Sequence, residues 1–226
     1  MPRTARNLAD NCVYHLLNRG NCRMKIFTKT GDFAAFVRLV EQARRRFPTV
    51  RILGYCLMNN HWHLVVWPEV AADLSRFMAW LCTTHVRRWR AHRGNAGEGH
   101  VYQGRFKSFM TQNDSHLLSV LRYVEGNPLR AGIVERAEKW PWSSLTNTPG
   151  VKGVRIALSD WPMDRPKGWR KLVNAQLDEG TLGQIRTSVK RSRPFGDEKW
   201  TRRTARRLGL EWTLRDPWRP RKVTGK

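Results

Sequence analysis

The sequence predicts an α+β fold: a ferredoxin-like, split βαβ antiparallel sheet with its helices on one face and the other face free for a ligand, followed by a basic, partly helical C-terminal extension. Two observations support this prediction. Segments with the hydrophobic periods of strands and helices alternate in the order β-α-β-β-α-β over residues 11–110, and one more helix follows. After about residue 145 this pattern gives way to Pro, Gly, Asp and Thr, and then to runs of arginine.

The first strand and the first helix are indicated by short apolar patterns. Residues 11–18 (NCVYHLLN) are typical of a strand, and the following RGN is typical of a turn. Residues 30–47 predict a helix that begins near Thr30 or Asp32 and is stopped by Pro48. Its apolar positions have helical spacing: Phe33, Phe36, Val37 and Val40.

A tight hairpin is predicted next, between the strands 50–58 (VRILGYCLM) and 61–67 (HWHLVVW). Asn59 and Asn60 separate them, and asparagine tolerates the positive φ angles of such a turn better than most residues. Pro68 closes the second strand. The later elements are a long helix over 71–92, a strand over 100–110, and a capped helix in 113–128 that ends before Pro128.

Composition divides the chain into three parts. Residues 1–145 contain the predicted sheet, residues 146–168 form a linker or irregular crossover, and residues 169–226 form the basic extension. Because the candidate site residues precede the linker, we expect a chain cut after residue 150 to keep the sheet folded. The elements expected in the extension are at most one weakly amphipathic helix over 169–190 and a basic helix over 195–212, with Asp197 as N-cap and Gly209 just past its end.

The charge of the chain predicts a polyanionic partner. There are 42 Lys+Arg against 18 Asp+Glu, a formal net charge of +24. Arginine clusters at 43–47, 86–93 and 201–207 are accompanied by aromatic residues, an arrangement that suits phosphate neutralisation together with base stacking. An anionic membrane is the second candidate, but its basic helices need an apolar opposite face. Nucleic acid is therefore the favoured partner.

Other features of the composition narrow the class of protein. The 4 cysteines form no CxxC pair and have no zinc-finger spacing, so we expect reduced thiols. The longest apolar runs are too short to span a bilayer. We therefore expect a cytoplasmic, nucleoid-associated protein with no membrane partner and no nucleotide cofactor, acting as a monomer or a weak dimer.

Two histidines on the third strand form the first candidate site. Residues i and i+2 of a strand face the same side, so His61 and His63 project together, with Trp62 and Leu64 on the opposite, helix-covered face. Two adjacent imidazoles can bind a divalent ion, or they can pack and hydrogen-bond as ordinary buried residues. A metal site needs at least one more ligand.

The second candidate site lies on the helix within LRYVEGNPLRAG (121–132). Tyr123 and Asn127 are four residues apart, on one flank of the apolar stripe that faces the sheet. They place a phenol and an amide oxygen at the edge where the helix meets the sheet. Taken singly, each residue also fits an ordinary structural role, Tyr123 as a boundary tyrosine and Asn127 as a helix-end residue before proline.

Three separated motifs carry a resemblance to a known family. HWH resembles the motif of the HUH single-strand nucleases. GHVYQGRFKS (99–108) followed by LRYVEGNPLRAGIV (121–134) is similar to the REP-associated tyrosine transposases, relatives of insertion-sequence transposases that act on repetitive extragenic palindromes. The resemblance covers about residues 11–145, and residues 193–215 also look like the C-terminal segment of that branch.

The resemblance implies a metal-dependent tyrosine nuclease. Residues 1–145 would be an HUH-type catalytic domain, with His61, His63 and Asn127 as ligands of Mg²⁺ or Mn²⁺. Tyr123 would be the nucleophile, forming a 5′-phosphotyrosine during cleavage and strand transfer of single-stranded DNA. The sequence identifies no general base, and His116, on the same flank of the helix, also fits a surface role. Gly126 departs from the family pattern, in which a bulkier residue usually precedes Asn-Pro.

The expected substrate is a single-stranded DNA hairpin from a repetitive extragenic palindrome. Arg105 and Lys107 are predicted to share one face of the fourth strand and to contact phosphates. The basic extension, residues 169–226, would be a DNA-binding region. The arginines expected to hold the flanks of the substrate are Arg87, Arg88, Arg90, Arg202, Arg203, Arg206 and Arg207.

Two other functions compete with this prediction. The first is a non-catalytic protein, derived from a transposase, that grips hairpins of DNA or RNA without cutting them. The second is a zinc-dependent hydrolase that uses His61 and His63, which is weaker because no third strong ligand and no activating carboxylate is evident. The presence of all of the expected site residues favours the transposase-like enzyme.

Overall fold

The sheet of the computed structural model has the predicted ferredoxin-like topology. The structure describes residues 7–95, 97, 99–146 and 154–215. Four strands pair antiparallel in the order β2-β3-β1-β4, so the first strand lies between the third and the fourth. The α+β prediction is therefore confirmed. The strands are β1 (Val13–Arg19), β2 (Val50–Met58), β3 (His61–Pro68) and β4 (Lys107–Thr111).

Two long helices cover one face of this sheet, as predicted. They are α1 (Thr30–Arg46) and α2 (Ala71–Arg93). Asp32 stabilises the start of α1, since its carboxylate accepts a hydrogen bond from the backbone N–H of Thr28 at 2.8 Å. Alternate strand residues that point toward these helices are fully buried, which forms the larger hydrophobic core: Leu16, Ile52, Trp62, Leu64 and Val66.

The opposite face is not left free, which corrects the expectation that helices lie on one face only. The helix α3 (Ser115–Glu125) packs on this face, and its predicted apolar stripe is buried there. Strands whose side chains are apolar on both faces expose a large hydrophobic surface until both are covered. The second core consists of Leu53, Cys56, Val65 and Phe109 from the sheet and Leu117, Val120, Leu121 and Val124 from α3.

The structure also changes two predicted boundaries near the site. The strand β4 begins only at Lys107, so Arg105 lies in the bend before it rather than on the strand. The predicted capped helix ends at Glu125, and Asn127 opens a separate short helix, α4 (Asn127–Arg130). The break falls at Gly126, where an added Cβ would lie 2.8 Å from the backbone oxygen of Arg122 and 3.4 Å from the backbone oxygen of Val173. Close packing of the backbone thus explains the departure from the family pattern at this position.

Beyond residue 153 the chain returns to the sheet. Of the predicted linker or irregular crossover, 146–168, residues 147–153 lie outside the described residues. Residues 154–168 are irregular and follow the edge of β2, where Ser159 N–H donates to the Ile52 carbonyl at 2.8 Å. Two helices occupy the region in which at most one was expected, because Asp178 caps a new helix through the N–H of Thr181. The helix capped by Asp197 is present but shorter than predicted. These helices are α5 (Trp169–Asn174), α6 (Glu179–Arg191) and α7 (Glu198–Arg207).

The C-terminal helices share a hydrophobic core with the sheet. Trp169, Val173 and Ile185 are at most 4% exposed and pack in the same cluster as α3. Phe195 joins the edge of β4, donating its N–H to Met110 O at 2.8 Å. The predicted division into a catalytic domain and a DNA-binding extension therefore stays a prediction about roles, since the two segments pack together. No helix among the described residues is long and apolar enough to cross a membrane.

Candidate active site

Strand alternation brings the two histidines of β3 together on the face covered by α3. The ring centroids of His61 and His63 are 5.0 Å apart. His63 is 1% exposed, whereas His61, at the end of the strand, is only partly buried. Trp62 points to the other face and is fully buried beneath α1 and α2. This arrangement is the one that the HWH spacing predicts.

A third histidine, which the sequence reasoning missed, supports this pair. His15 lies on the neighbouring strand β1, and its Nε2 is 2.8 Å from Nδ1 of His63. It is 1% exposed and also packs against the ring of Phe109. The histidine was visible in VYHLL, but its neighbour depends on the pairing of β1 with β3, which the local pattern does not specify.

Asn127 completes the contacts of His63 from the other side. Its side-chain nitrogen is 2.7 Å from Nε2 of His63, and the residue is 9% exposed. Both ring nitrogens of His63 are therefore engaged, Nδ1 with His15 and Nε2 with Asn127. If Nδ1 donates to His15, the lone pair of His63 Nε2 points toward Asn127.

Tyr123 lies edge-on to this cluster. Its ring centroid is 5.8 Å from that of His63 and 6.2 Å from that of His15. The guanidinium carbon of Arg130 lies 4.3 Å from the centroid of the Tyr123 ring, and Nη2 of Arg130 donates to the Tyr123 carbonyl at 2.9 Å. Arg130 was also missed, although it stands in the NPLR that follows the predicted helix. The site therefore combines a phenol, imidazoles, an amide and a guanidinium.

The electrostatics of the site keep its histidines neutral. Burial lowers the pKa of His15 to about 3, and the repulsion that two protonated rings, His15 and His61, would exert on each other adds to this effect. Burial, with the positive charges of Arg19 and Arg130, lowers the pKa of His61 to about 3. The pKa of His63 is likewise well below its usual value, mainly because of burial. Neutral imidazoles keep the lone pairs that a metal ion requires.

The donor set fits a small divalent cation with few protein ligands. Two neutral imidazoles share one face, and an amide that can present its oxygen lies in contact with one of them. In the described part of the chain, no three or more His, Cys, Asp and Glu residues form a group that could hold a metal ion. A third protein ligand would therefore have to be of another type, such as the amide of Asn127.

The basic residues predicted to contact DNA fall into three separate places. Arg105 and Lys107 line one cleft beside the end of β1, together with Arg19. The α2 arginines lie on the helix layer of the opposite face, where Arg87 and Arg88 are exposed. Arg90 instead donates to the carbonyl oxygens of Asn95 and Gly99 in the loop after α2. The α7 arginines, all exposed, are Arg202, Arg203, Arg206 and Arg207.

His116 is used locally rather than at the site. Its Nδ1 lies 2.7 Å from the carboxylate of Asp114, the N-cap of α3, and its ring packs against Phe195. It precedes Tyr123 by two turns of α3, about 10 Å along the helix axis. These contacts support a structural role at the start of α3.

Comparisons with known proteins identify the family of this chain. A family model described as "Transposase IS200 like" matches residues 9–127. A curated protein of Haemophilus influenzae named as a REP-associated tyrosine transposase is 30% identical over 123 residues, which cover 51% of this chain and 66% of that relative. A solved structure of a REP-associated tyrosine transposase bound to a REP hairpin superposes with a TM-score of 0.51 at 18% identity, covering 64% of this chain and 82% of the other. Since the family model spans more than half of the sequence and includes the histidine pair, Tyr123 and Asn127, the chain belongs to the IS200-like transposase family.

Proposed function

We propose that this protein cleaves and rejoins single-stranded DNA beside palindromic repeat hairpins, with Tyr123 as the nucleophile. The observation that carries the proposal is the packing of the Tyr123 ring against His63, in a cluster that also contains His61 and Asn127. A phenol beside two neutral imidazoles is suited to attack on a phosphodiester, which is the reaction that a transposase of this kind needs. The hairpin partner is supported by the REP hairpin of the structural relative and by the net charge of +24.

Each step of the proposed reaction breaks one ester bond to phosphorus and forms another. The hydroxyl oxygen of Tyr123 attacks phosphorus, a bond from Tyr123 to the 5′ phosphate forms, and the bond from phosphorus to the 3′ oxygen breaks. The phenol loses one proton and the departing 3′ oxygen gains one. Attack by another 3′ hydroxyl reverses the process and joins two strands, so no external energy source is required.

His61, His63 and Asn127 would hold Mg²⁺ or Mn²⁺, and imidazole ligands favour Mn²⁺ of the two. When bound, such an ion supplies Lewis acidity at the non-bridging phosphate oxygens. His15 orients the His63 ring through its 2.8 Å contact. Arg130 places a positive charge over the ring of Tyr123. This charge would stabilise the negative charge that develops on the phenol oxygen as it loses its proton and attacks phosphorus.

The replacement Tyr123→Phe tests the nucleophile directly. It removes one oxygen and little volume, so folding and hairpin binding should be retained while cleavage and the covalent adduct disappear. Denaturing gels with hairpin DNA labelled on either side of the cut measure both effects, and the label on the 3′ side should travel with the protein. Tyr55→Phe, on the face covered by α1, is the control. An adduct that persists in Tyr123→Phe would place the nucleophile elsewhere.

His61→Ala is the sharper test of the metal ligands. His63 contacts both His15 and Asn127 in the buried site, so its removal leaves partners without hydrogen bonds and lowers stability. His61 is partly exposed, and its ring contacts the side chain of neighbouring Asn60. We expect His61→Ala to fold normally, to bind hairpins almost unchanged and to lose cleavage in Mg²⁺ or Mn²⁺. Full cleavage by this variant would remove the metal assignment.

One observation favours a second function, hairpin binding without cleavage. Both nitrogens of His63 already have protein partners, as expected for an ordinary buried imidazole. A binding protein of this kind would retain the affinity of the basic surfaces without any covalent adduct. Denaturing gels separate the two functions, because the wild-type protein forms a covalent adduct with DNA only if it is an enzyme.

A further inference from the structure

A positively charged cleft of about 170 Å³ opens on the face that carries the histidines, directly beside them. It lies between the end of β1, the bend before β4, and α6. Its walls are mostly polar or basic, and α6 contributes only one lining residue, Val189. Leu17, Arg19 and Lys107 belong to the part of the lining that the sheet contributes.

The register of the strands connects this cleft to the candidate active site. Arg19 is paired with His61, and Leu17 is paired with His63 on one side and with Lys107 on the other. Because these residues are directly opposite one another or two apart along a strand, their side chains share one face of the sheet. The cleft therefore begins beside the histidine pair and continues toward β4 and α6.

Arg19 and Lys107 bring positive charge into the cleft. Among the described residues, no carboxylate lies within 4.0 Å of the charged nitrogens of Arg19 or Lys107. The Nε of Arg19 is buried without a hydrogen-bond partner in the described structure. A buried donor without an acceptor is uncommon in folded proteins, and the side chain that carries it belongs to a residue that lines the cleft.

We propose that this cleft binds the sugar-phosphate backbone of the nucleotide next to the bond that is cut, with Arg19 and Lys107 as its phosphate contacts. The proposal rests on the proposed function and names the substrate contact at that site. The volume corresponds to about five or six water molecules at roughly 30 Å³ each, room for a phosphate and part of its sugar but not for a duplex. The cleft thus holds one backbone segment beside His61 and Tyr123.

Binding measured without metal tests the cleft independently of catalysis. The probes are a fluorescein-labelled DNA hairpin with single-stranded oligothymidine tails and the same hairpin without tails, titrated in EDTA at several salt concentrations. Each phosphate contact on a single strand contributes a log–log salt slope of about −0.7. We expect Arg19→Gln and Lys107→Gln each to reduce the slope for the tailed hairpin by about 0.7, and to leave binding of the tail-less hairpin within about twofold of the wild type.

Two further variants make the test decisive. Arg38→Gln removes one exposed charge from α1, on the opposite face of the sheet, and should leave the slope for the tailed hairpin unchanged. Arg19→Lys keeps the charge and should restore most of the slope, which separates a phosphate contact from a folding defect. Equal losses in Arg19→Gln and Arg38→Gln, or equal losses with and without the tails, would overturn the proposal. Failure of wild-type protein to form a covalent adduct, with the slopes as expected, would overturn the proposed function alone.

Discussion

Removal of the chain after residue 150 should unfold the protein. The truncation deletes Trp169, Val173, Ile185 and Phe195, which are 0–4% exposed and pack with α3 and the sheet. Full burial of a large apolar side chain contributes about 1.5–3 kcal/mol, so these residues together contribute roughly 6–12 kcal/mol. The total stability of a typical domain is only about 5–15 kcal/mol.

The truncation also removes one of the two hydrogen-bond donors of a buried acid. Glu125 is 1% exposed, and one of its carboxylate oxygens accepts a hydrogen bond from Trp169 Nε1 at 2.6 Å. Burial raises the pKa of this carboxyl, so losing a donor there adds to the cost of truncation. Both effects act against the folded sheet.

Thermal unfolding followed by circular dichroism measures the outcome. A chain ending at residue 150 should show no cooperative transition, whereas a control chain ending at residue 215 keeps every described helix and should melt like the full chain. A truncated protein that melts cooperatively within a few degrees of the full chain would refute this reasoning. The sequence alone leads to the opposite expectation, because it does not reveal that the extension helps to form the core.

Three further predictions concern the buried residues. His15→Phe should weaken Mn²⁺ binding by about 10–100-fold, as loss of a residue that orients a metal ligand does, while His85→Phe should leave it unchanged by calorimetric titration. Burial lowers the pKa of His15 and His85 to about 3, so the unfolded chain takes up protons first as pH falls. Stability should therefore decrease below pH 6.5, by about 1 kcal/mol per pH unit for each residue; equal urea midpoints at pH 7 and pH 5 would contradict this. Gly126→Ala should lower the melting temperature despite the better helix propensity of Ala, because its Cβ would lie 2.8 Å from the Arg122 carbonyl oxygen.

The sequence pattern within a single helix or strand was sufficient to predict the features that depend on that element alone. The alternation of HWHLVVW placed His61 and His63 on one face, and the spacing in the following helix gave its apolar stripe. Side-chain chemistry at the caps was also readable, since Asp197 accepts from the N–H of Trp200 at the start of α7. Each of these features depends on residues close together in the chain.

Features that depend on distant pairing were missed. The strand VRILGYCLM is apolar on both faces, which was a readable sign that helices would cover both; Leu57 lies in one core and Leu53 in the other. His15 reaches His63 only through the pairing of β1 with β3. The short helix α5 has too few residues to give a periodic signal, although its buried side chains complete the core around α3.

Comparison of the two faces of the sheet shows why a buried histidine is not by itself a sign of catalysis. His85, on the face covered by α1 and α2, is 7% exposed; its Nδ1 is 2.6 Å from the hydroxyl of Tyr102, and its ring packs against Phe36. On the other face, His61 is only partly buried and lies among cations, since the charges of Arg19 and Arg130 act on it. An imidazole enclosed by aromatic rings offers no route for a phosphate, whereas one that is partly exposed and lies among basic side chains does. The surroundings of each histidine, rather than its burial, therefore indicate which face of the sheet a polyanion can reach.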